Sequence, residues 1–185
     1  AFYVPQERQI CFENPGYQPR TGWNLCLFLN GIQDPQNFGA IVRSAEFFGA
    51  DQVFYPEHGN APFTPVAQKT SAGGGIHNPP YKISSVSTLF EKVNAHNFTI
   101  IGTDPYQGTS IEEMDFRRDV LLIIGSEGSG MNSKIRNYCH EWVKIPRIGK
   151  VESLNASVSA GILLYQALIN RGMQATADND QTDYL

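Results

Sequence analysis

Five polar side chains, set in three short glycine- or small-residue-bearing stretches, are the part of this chain that could do chemistry. Asn37 and Arg43 lie in Asn37-Phe-Gly-Ala-Ile-Val-Arg43, Glu127 in Gly125-Ser-Glu127-Gly-Ser-Gly130-Met131, and Ser153 and Asn155 in Ser153-Leu-Asn155-Ala-Ser157, shortly after Ile145-Pro146. An arginine is a planar fork of donors that normally grips phosphate. An asparagine offers donor and acceptor together, either to a ligand or to the first turn of a helix. Glycines in such stretches let backbone amides and carbonyls approach a ligand closely, although tight turns between strand and helix need glycine whether or not they bind anything. Three loops of this kind can build one ligand pocket.

The elements that must carry these loops are legible from periodicity. Leu25 to Leu29, Gln52 to Tyr55, Phe98 to Ile101, Val120 to Ile124 and Trp142 to Ile145 are short apolar runs that read as buried strands. Between them, Asn37 suits the N-cap of a helix over Phe38 to Phe48, closed by Gly49, with Ile41, Ala45 and Phe48 sharing the face that packs on the sheet. Pro65 to Ser71 reads as a short helix stopped by Gly73-Gly74-Gly75, Val86 to Ala95 as another, and Val158 to Asn170 as the closing helix. Strands that are apolar throughout and alternate with helices predict an α/β domain, a mostly parallel sheet with helices on both faces. In such sheets ligands bind beyond the carboxyl ends of the strands. The loops at 30–37, 102–104, 125–131 and 146–155 occupy those ends.

Residues 1–23, with Pro5, Pro15, Gly16, Pro19 and Gly22, read as an extended N-terminal arm or linker, 24–172 as a single α/β domain, and 173–185 as a polar, acidic tail expected to be disordered. No apolar stretch approaches the roughly 20 residues that cross a bilayer, and Ala1 to Ile10 lack the pattern of a secretory signal. Because the chain begins at Ala1 rather than methionine, Ala1 reads as a processing boundary, which leaves open whether a targeting peptide or further domain lies upstream. Three cysteines, Cys11, Cys26 and Cys139, form no disulfide framework and suit a reducing compartment. The scattered histidines and the absence of a C-x-x-C or H-x-x-x-H pair predict no metal.

Several nucleotide chemistries are disfavoured. Gly125-x-x-Gly128-x-Gly130 runs in the reverse order to the dinucleotide fingerprint, and neither a P-loop nor a G-x-S-x-G elbow is present. The formal net charge of −4 is segregated: residues 1–116 hold 6 basic and 11 acidic side chains, whereas 117–171 hold 8 basic and 4 acidic. Arg117, Arg118, Lys134, Arg136, Lys144, Arg147 and Lys150 could gather as the footprint of a phosphate backbone, or form an ordinary solvated face.

Taken together, the three stretches resemble the motifs of the SpoU (TrmH) family of RNA ribose 2'-O-methyltransferases, a branch of the SPOUT superfamily. The first is Asp34-Pro35-x-Asn37-x-Gly39-Ala40-Ile41-x-Arg43-Ser44-Ala45, the second Ile124-Gly125-x-Glu127-Gly128-x-Gly130-Met131, and the third Ile145-Pro146 followed by Glu152-Ser153-Leu154-Asn155-x-Ser157-Val158-Ser159-Ala160. Thr64-Pro65-Val66-x-x-Lys69-x-Ser71-Ala72-Gly73 further resembles the subgroup that modifies guanosine in large-subunit ribosomal RNA, mitochondrial members included. The resemblance implies S-adenosyl-L-methionine as methyl donor and a C-terminal trefoil knot, a topology that periodicity could not reveal. It implies cofactor contacts at Thr103, Gly125, Ile145 and Leu154, with Ser157 beside them, and catalytic or organising roles for Asn37, Arg43, Glu127, Ser153 and Asn155.

For Arg43 the implied role is general base, although a guanidinium is almost always protonated, so a phosphate clamp is the second reading. Asn37 could cap its helix, orient Arg43 or hydrogen-bond the ribose; Glu127 could anchor its loop or touch RNA; Ser153 and Asn155 could organise the catalytic loop or simply cap the last helix. The resemblance also implies RNA as partner and a homodimer in which Asn37 and Arg43 of one subunit face the cofactor of the other; apolar positions on the first and last helices, Phe47, Tyr165 and Leu168, are the candidates for its interface, with simple core packing the other reading of each. It leaves a transfer RNA enzyme and a catalytically idle RNA-binding or ribosome-assembly protein as alternatives. The expected location is intracellular, the mitochondrial matrix in a eukaryote or the cytoplasm in a bacterium.

Overall fold

Strand β1, Leu25–Asn30, is buried along its whole length, and its side chains divide by parity. Leu25, Leu27 and Leu29 enter one apolar cluster; Cys26 and Phe28 enter another on the opposite face. Strand β6, Val120–Gly125, repeats the pattern, with Val120, Leu122 and Ile124 on the first side and Leu121 and Ile123 on the second. A strand that must bury both faces has no polar alternation to show, which is why these runs are continuously apolar.

The computed structural model describes residues 10–125, 131 and 133–172. In chain order β1 is followed by α1 (Pro35–Phe47), β2 (Gln52–Pro56), α2 (Pro65–Thr70), α3 (Gly74–His77), β3 (Tyr81–Ile83), α4 (Val86–Ala95), β4 (Thr99–Thr103), β5 (Thr109–Ser110), β6, α5 (Ser133–Arg136), β7 (Glu141–Lys144) and α6 (Ala156–Asn170). The seven strands form one parallel sheet in the order β3-β2-β1-β6-β4-β7-β5. Residues of α1 and α6 belong to the first cluster, while α4 and the turn at Cys11–Glu13 contribute to the second, so both faces are covered as the sequence predicts. No described helix is long and apolar enough to cross a membrane.

Four local expectations change. The N-cap of α1 is Asp34, not Asn37: its carboxylate accepts the Gln36 N–H at 2.9 Å, and Pro35 takes the first helical position, where its missing N–H costs nothing. Asn37 is thereby moved into the first turn. The glycine run after α2 does not simply stop a helix. Gly73 reverses the chain at φ +92°, but Gly74 and Gly75 start α3. A methyl on Gly75 would lie 2.5 Å from the Phe63 ring, and one on Gly74 3.1 Å from the Arg43 Cα, so α3 sits where only glycine lets it approach α1. Strands β3 and β5 and helix α5, two to four residues each, fall below any periodicity, and α6 starts two residues earlier than expected. Finally, the segment at 10–23 is docked: Ile10 and Cys11 are buried in the second cluster, and Tyr17 donates to Asp51 at 2.5 Å. The tail at 173–185 lies outside the described residues.

Candidate active site

The carboxyl ends of β4, β6 and β7 open into a cavity of about 520 Å³. Thr103 ends β4, Gly125 ends β6, and Ile145 follows β7; all three line the cavity. The register explains the convergence, because Thr103 pairs with Val143 and Gly102 with Ile123, bringing the three strand ends level. The far wall is the segment from Pro146 to Leu154 and the start of α6, including Ser153, Leu154 and Ala156. Ile124, Met131, Val143 and Leu163 give the interior an apolar lining. Such a volume and a mostly apolar wall with a few polar groups is the form of a small-molecule site.

Of the residues expected at a cofactor, Thr103, Gly125, Ile145 and Leu154 therefore share one cavity, and Ser157 does not line it. Ser157 instead turns back to Asn155, donating its Oγ–H at 2.6 Å and its N–H at 2.9 Å to Asn155 Oδ1. Asn155 is the N-cap of α6, and its Nδ2 donates to Asn37 Oδ1 at 3.0 Å. The first and third motifs meet through this bond beside the cavity loop, within a single chain. Glu127 lies outside the described residues.

Arg43 does not line the cavity. It is exposed on α1 with no hydrogen bond or ion pair among the described residues, while its backbone rests against Gly74 of α3. Gly39, one turn earlier, has the same purpose: a Cβ there would lie 2.3 Å from the Ala67 carbonyl oxygen, so α1 and α2 touch backbone to backbone. The helix that presents Arg43 is thus held from two sides by glycine contacts.

Three of the seven residues of the expected basic footprint are ion-paired. Arg117 pairs with Asp115, Arg118 with Glu141 at 2.6 Å, and Arg136 with Asp104 at 3.2 Å while also lying 4.2 Å from the Trp142 ring centroid. Arg147 stacks at 4.9 Å on Tyr106. Part of the charge segregated along the sequence is thus tied up in ion pairs on the surface. Asp104, also at the cavity, accepts from the Tyr106 and Gln107 N–H groups and from Arg136. Burial pushes its carboxyl up, but these donors outweigh burial and hold it below the ordinary carboxylate range. Tyr106 and Arg147 are cavity residues that motif spacing did not mark, whereas Ser159, also in the lining, belongs to the third motif. Among the described residues no three His, Cys, Asp or Glu side chains converge on a metal position.

The profile of the SpoU rRNA Methylase family matches residues 24–165. The chain belongs to that family. A TrmH-family tRNA/rRNA methyltransferase of Staphylococcus saprophyticus is 34% identical over 145 residues, covering 78% of this chain and 58% of that protein, and a Staphylococcus aureus relative is 31% identical over 152 residues, covering 82% and 61%. The SpoU-family chain thus spans about three fifths of the length of the curated relatives it matches. The structure of the SpoU methyltransferase AviRb from Streptomyces viridochromogenes, solved with AdoMet, superposes with a TM-score of 0.75 at 29% identity, covering 80% of this chain and 58% of that one. A solved RNA 2'-O ribose methyltransferase also reaches 0.75, at 30% identity, covering 91% and 62%.

Proposed function

We propose that this SpoU-family chain methylates a ribose 2'-hydroxyl in RNA, with S-adenosylmethionine as donor and a guanosine of large-subunit ribosomal RNA as target. One observation carries the reading. The Asn37–Asn155 bond joins the motif that bears Arg43 to the loop that walls the cavity, so recognition of RNA and of the small molecule are built as one unit.

The cavity suits this donor on its own chemistry. Its apolar walls fit a purine ring, the strand ends offer backbone donors and acceptors, and Asp104 and Glu152 at the lining suit a ligand carrying positive charge. S-adenosylmethionine, when bound, supplies a methyl already activated as a sulfonium. The residues must then align the 2'-hydroxyl in line with that methyl and accept or direct its proton. Arg43, exposed on α1 and without a side-chain partner among the described residues, takes a phosphate flanking the target ribose; its permanent charge suits this clamp better than the role of base. Ser153 and Asn155 shape the loop, Asn155 by capping α6 and holding Asn37.

A homodimer completes the proposal. Helix α6 buries Ala160, Leu163, Leu164 and Ala167, yet Val158, Ile162, Tyr165 and Ile169 stay exposed on another side. A helix apolar all round needs covering on every side. Phe47, 80% exposed at the end of α1 beside Phe48 and Tyr165, extends the stripe, and Leu168 lies half-buried next to it. A second copy seated there would bring its own α1 and Arg43 toward this cavity. The knot belongs to the same proposal: after β6 the chain passes beyond β4 to form β7 and returns with α6 against α1.

The test is methyl transfer from labelled S-adenosylmethionine to large-subunit ribosomal RNA and, separately, to transfer RNA, followed by nucleoside analysis. A 2'-O-methylguanosine from ribosomal RNA supports the proposal. Label only in transfer RNA redirects the substrate, and binding of S-adenosylmethionine without transfer to either RNA favours an idle scaffold.

A further inference from the structure

The loop from Ile145 to Asn155 is the least supported wall of the cavity. Ile148 is fully exposed and Val151 76% exposed, so side chains that could have anchored the loop in the core face water instead. Ile145 packs on the core and Asn155 bonds Asn37 at its two ends, and between them one guanidinium ties the loop across. Arg147 Nη1 donates to the Val151 carbonyl at 3.2 Å and to the Glu152 carbonyl at 3.1 Å, tying the beginning of the loop to its end. The same guanidinium lies 4.9 Å from the Tyr106 ring centroid. Arg147 and Tyr106 both line the cavity, and both are exposed, so they stand at its rim.

Tyr106 is itself on a fixed support. Asp104 accepts the N–H groups of Tyr106 and Gln107 and is held by Arg136. Gly108 then seats the segment on β7: its φ is +108° and a Cβ would lie 2.4 Å from the Trp142 carbonyl oxygen, a position closed to any other residue. The rim therefore has a rigid half, residues 104–108, and a loosely packed half, residues 146–154, joined by one stack. An arginine suits this junction better than lysine, because a delocalised guanidinium stacks on an aromatic face while its Nη1 still donates to two carbonyls.

We infer that Arg147 and Tyr106 form a brace across the rim of the cofactor cavity, and that Arg147 is a positioning residue for S-adenosylmethionine, setting the loop that carries Ser153 and Leu154, rather than a contact to RNA phosphate. This rests on the cofactor reading given above. Its consequence is that the brace acts on affinity for the donor, and the loss on breaking it falls on KM for S-adenosylmethionine more than on kcat.

The experiment compares wild type, Arg147→Ala, Arg147→Lys, Tyr106→Ala and the double alanine variant by calorimetry with S-adenosylmethionine, with hydrogen exchange of residues 145–155 in the ligand-free protein. All the altered side chains are exposed, so the fold is retained. Arg147→Ala is expected to weaken donor binding about tenfold, the size of a lost cation–π contact together with charge-assisted hydrogen bonds, and Tyr106→Ala, which loses the cation–π contact alone, by about threefold. The loop amides should exchange faster in both. The double variant should bind no more weakly than Arg147→Ala, since the two residues make one contact, and Arg147→Lys should fall between wild type and Arg147→Ala. Unchanged donor affinity and unchanged exchange in Arg147→Ala overturn the brace. A rise confined to KM for RNA makes Arg147 a phosphate contact and overturns it equally. A wild-type chain that binds no S-adenosylmethionine overturns the cofactor reading, and the brace as a determinant of affinity goes with it.

Discussion

Asn155 Nδ2 donates to Asn37 Oδ1 at 3.0 Å across 118 residues of chain, while Asn155 Oδ1 accepts the N–H and hydroxyl of Ser157. One amide thus caps α6 and fixes the first turn of α1. Asn155→Ala should cost about 1 kcal/mol of stability as a lost cap. Asn37→Ala leaves both caps in place, since Asn155 Oδ1 caps α6 through the Ser157 N–H and Asp34 caps α1. For methyl transfer the two single variants should be non-additive, with a coupling of about 0.5–3 kcal/mol in a double-mutant cycle on kcat/KM. Strict additivity would show that the bond does not organise the site.

Arg43→Ala should keep the fold and donor affinity and lose methyl transfer by about 100-fold or more, the range of a removed acid–base or phosphate-orienting group. The structural reason is its exposure and lack of a side-chain partner among the described residues: nothing in the core depends on the guanidinium. Thermal denaturation and donor calorimetry check the first half, and single-turnover transfer the second. Arg43→Lys tests the bidentate grip within the clamp, because a lysine keeps the charge for phosphate yet not the fork.

The sheet was readable because β1 and β6 are buried on both faces and therefore apolar without interruption. The start of α1 was misread because Asp34 and Asn37 are both cap-forming types, and Pro35 at the first helical position decides between them. Gly74 and Gly75 read as a break, since the Phe63 ring and Arg43 backbone that require glycine there are distant in sequence or belong to another helix. The cavity positions Thr103, Gly125, Ile145 and Leu154 came from motif resemblance and share one wall system; Tyr106 and Arg147 carry no spacing signal because their partnership exists only after β4 and β7 pair.

The exposed face of α6 sets a test of assembly. Ile169→Glu and Tyr165→Glu place a charge on residues about half exposed, which the monomer fold tolerates. In a dimer each would bury an unpaired carboxylate. Sedimentation should shift from dimer to monomer, with transfer activity falling in parallel if Arg43 acts from the second copy. A wild-type chain that sediments as a fully active monomer removes the dimer from the proposal.

Arg171 closes the end of α6 from inside. Its guanidinium is buried and donates to the carbonyls of Trp23, Asn24, Phe116 and Arg118 and to the Thr21 hydroxyl, joining three separate segments. Burial draws its pKa down to about 10, against the pull of Asp51 and Asp119, so it remains charged at neutral pH. Arg171→Met keeps the apolar stem and abandons several buried acceptors, at about 1–3 kcal/mol for each left unsatisfied. With one or two stranded, the melting temperature should fall by on the order of 10 °C. A change of less than about 2 °C, within the effect of an ordinary surface substitution, would mean that water replaces the guanidinium.

The cysteines give the alkaline limit of stability. Burial pushes the Cys139 thiol up to about 11, opposed only by Arg136, and burial together with the neighbouring Cys11 pushes Cys26 well above its usual value. Both groups are therefore protonated in the folded chain at a pH where the unfolded chain has begun to lose their protons. Between about pH 9 and 11 the unfolded state binds fewer protons than the native one, so stability falls as pH rises. The urea midpoint should decline across that window and be flat for these groups between pH 6 and 8. Cys139→Ala should make the decline shallower without abolishing it, because Cys26 remains. Alkylation gives an independent reading, since it follows the thiolate: at pH 8 the native chain should react slowly, the rate at Cys139 should rise about tenfold per pH unit, and denaturant should expose all three thiols at once. Rapid labelling of native Cys139 at pH 8 would show that burial does not suppress its ionisation.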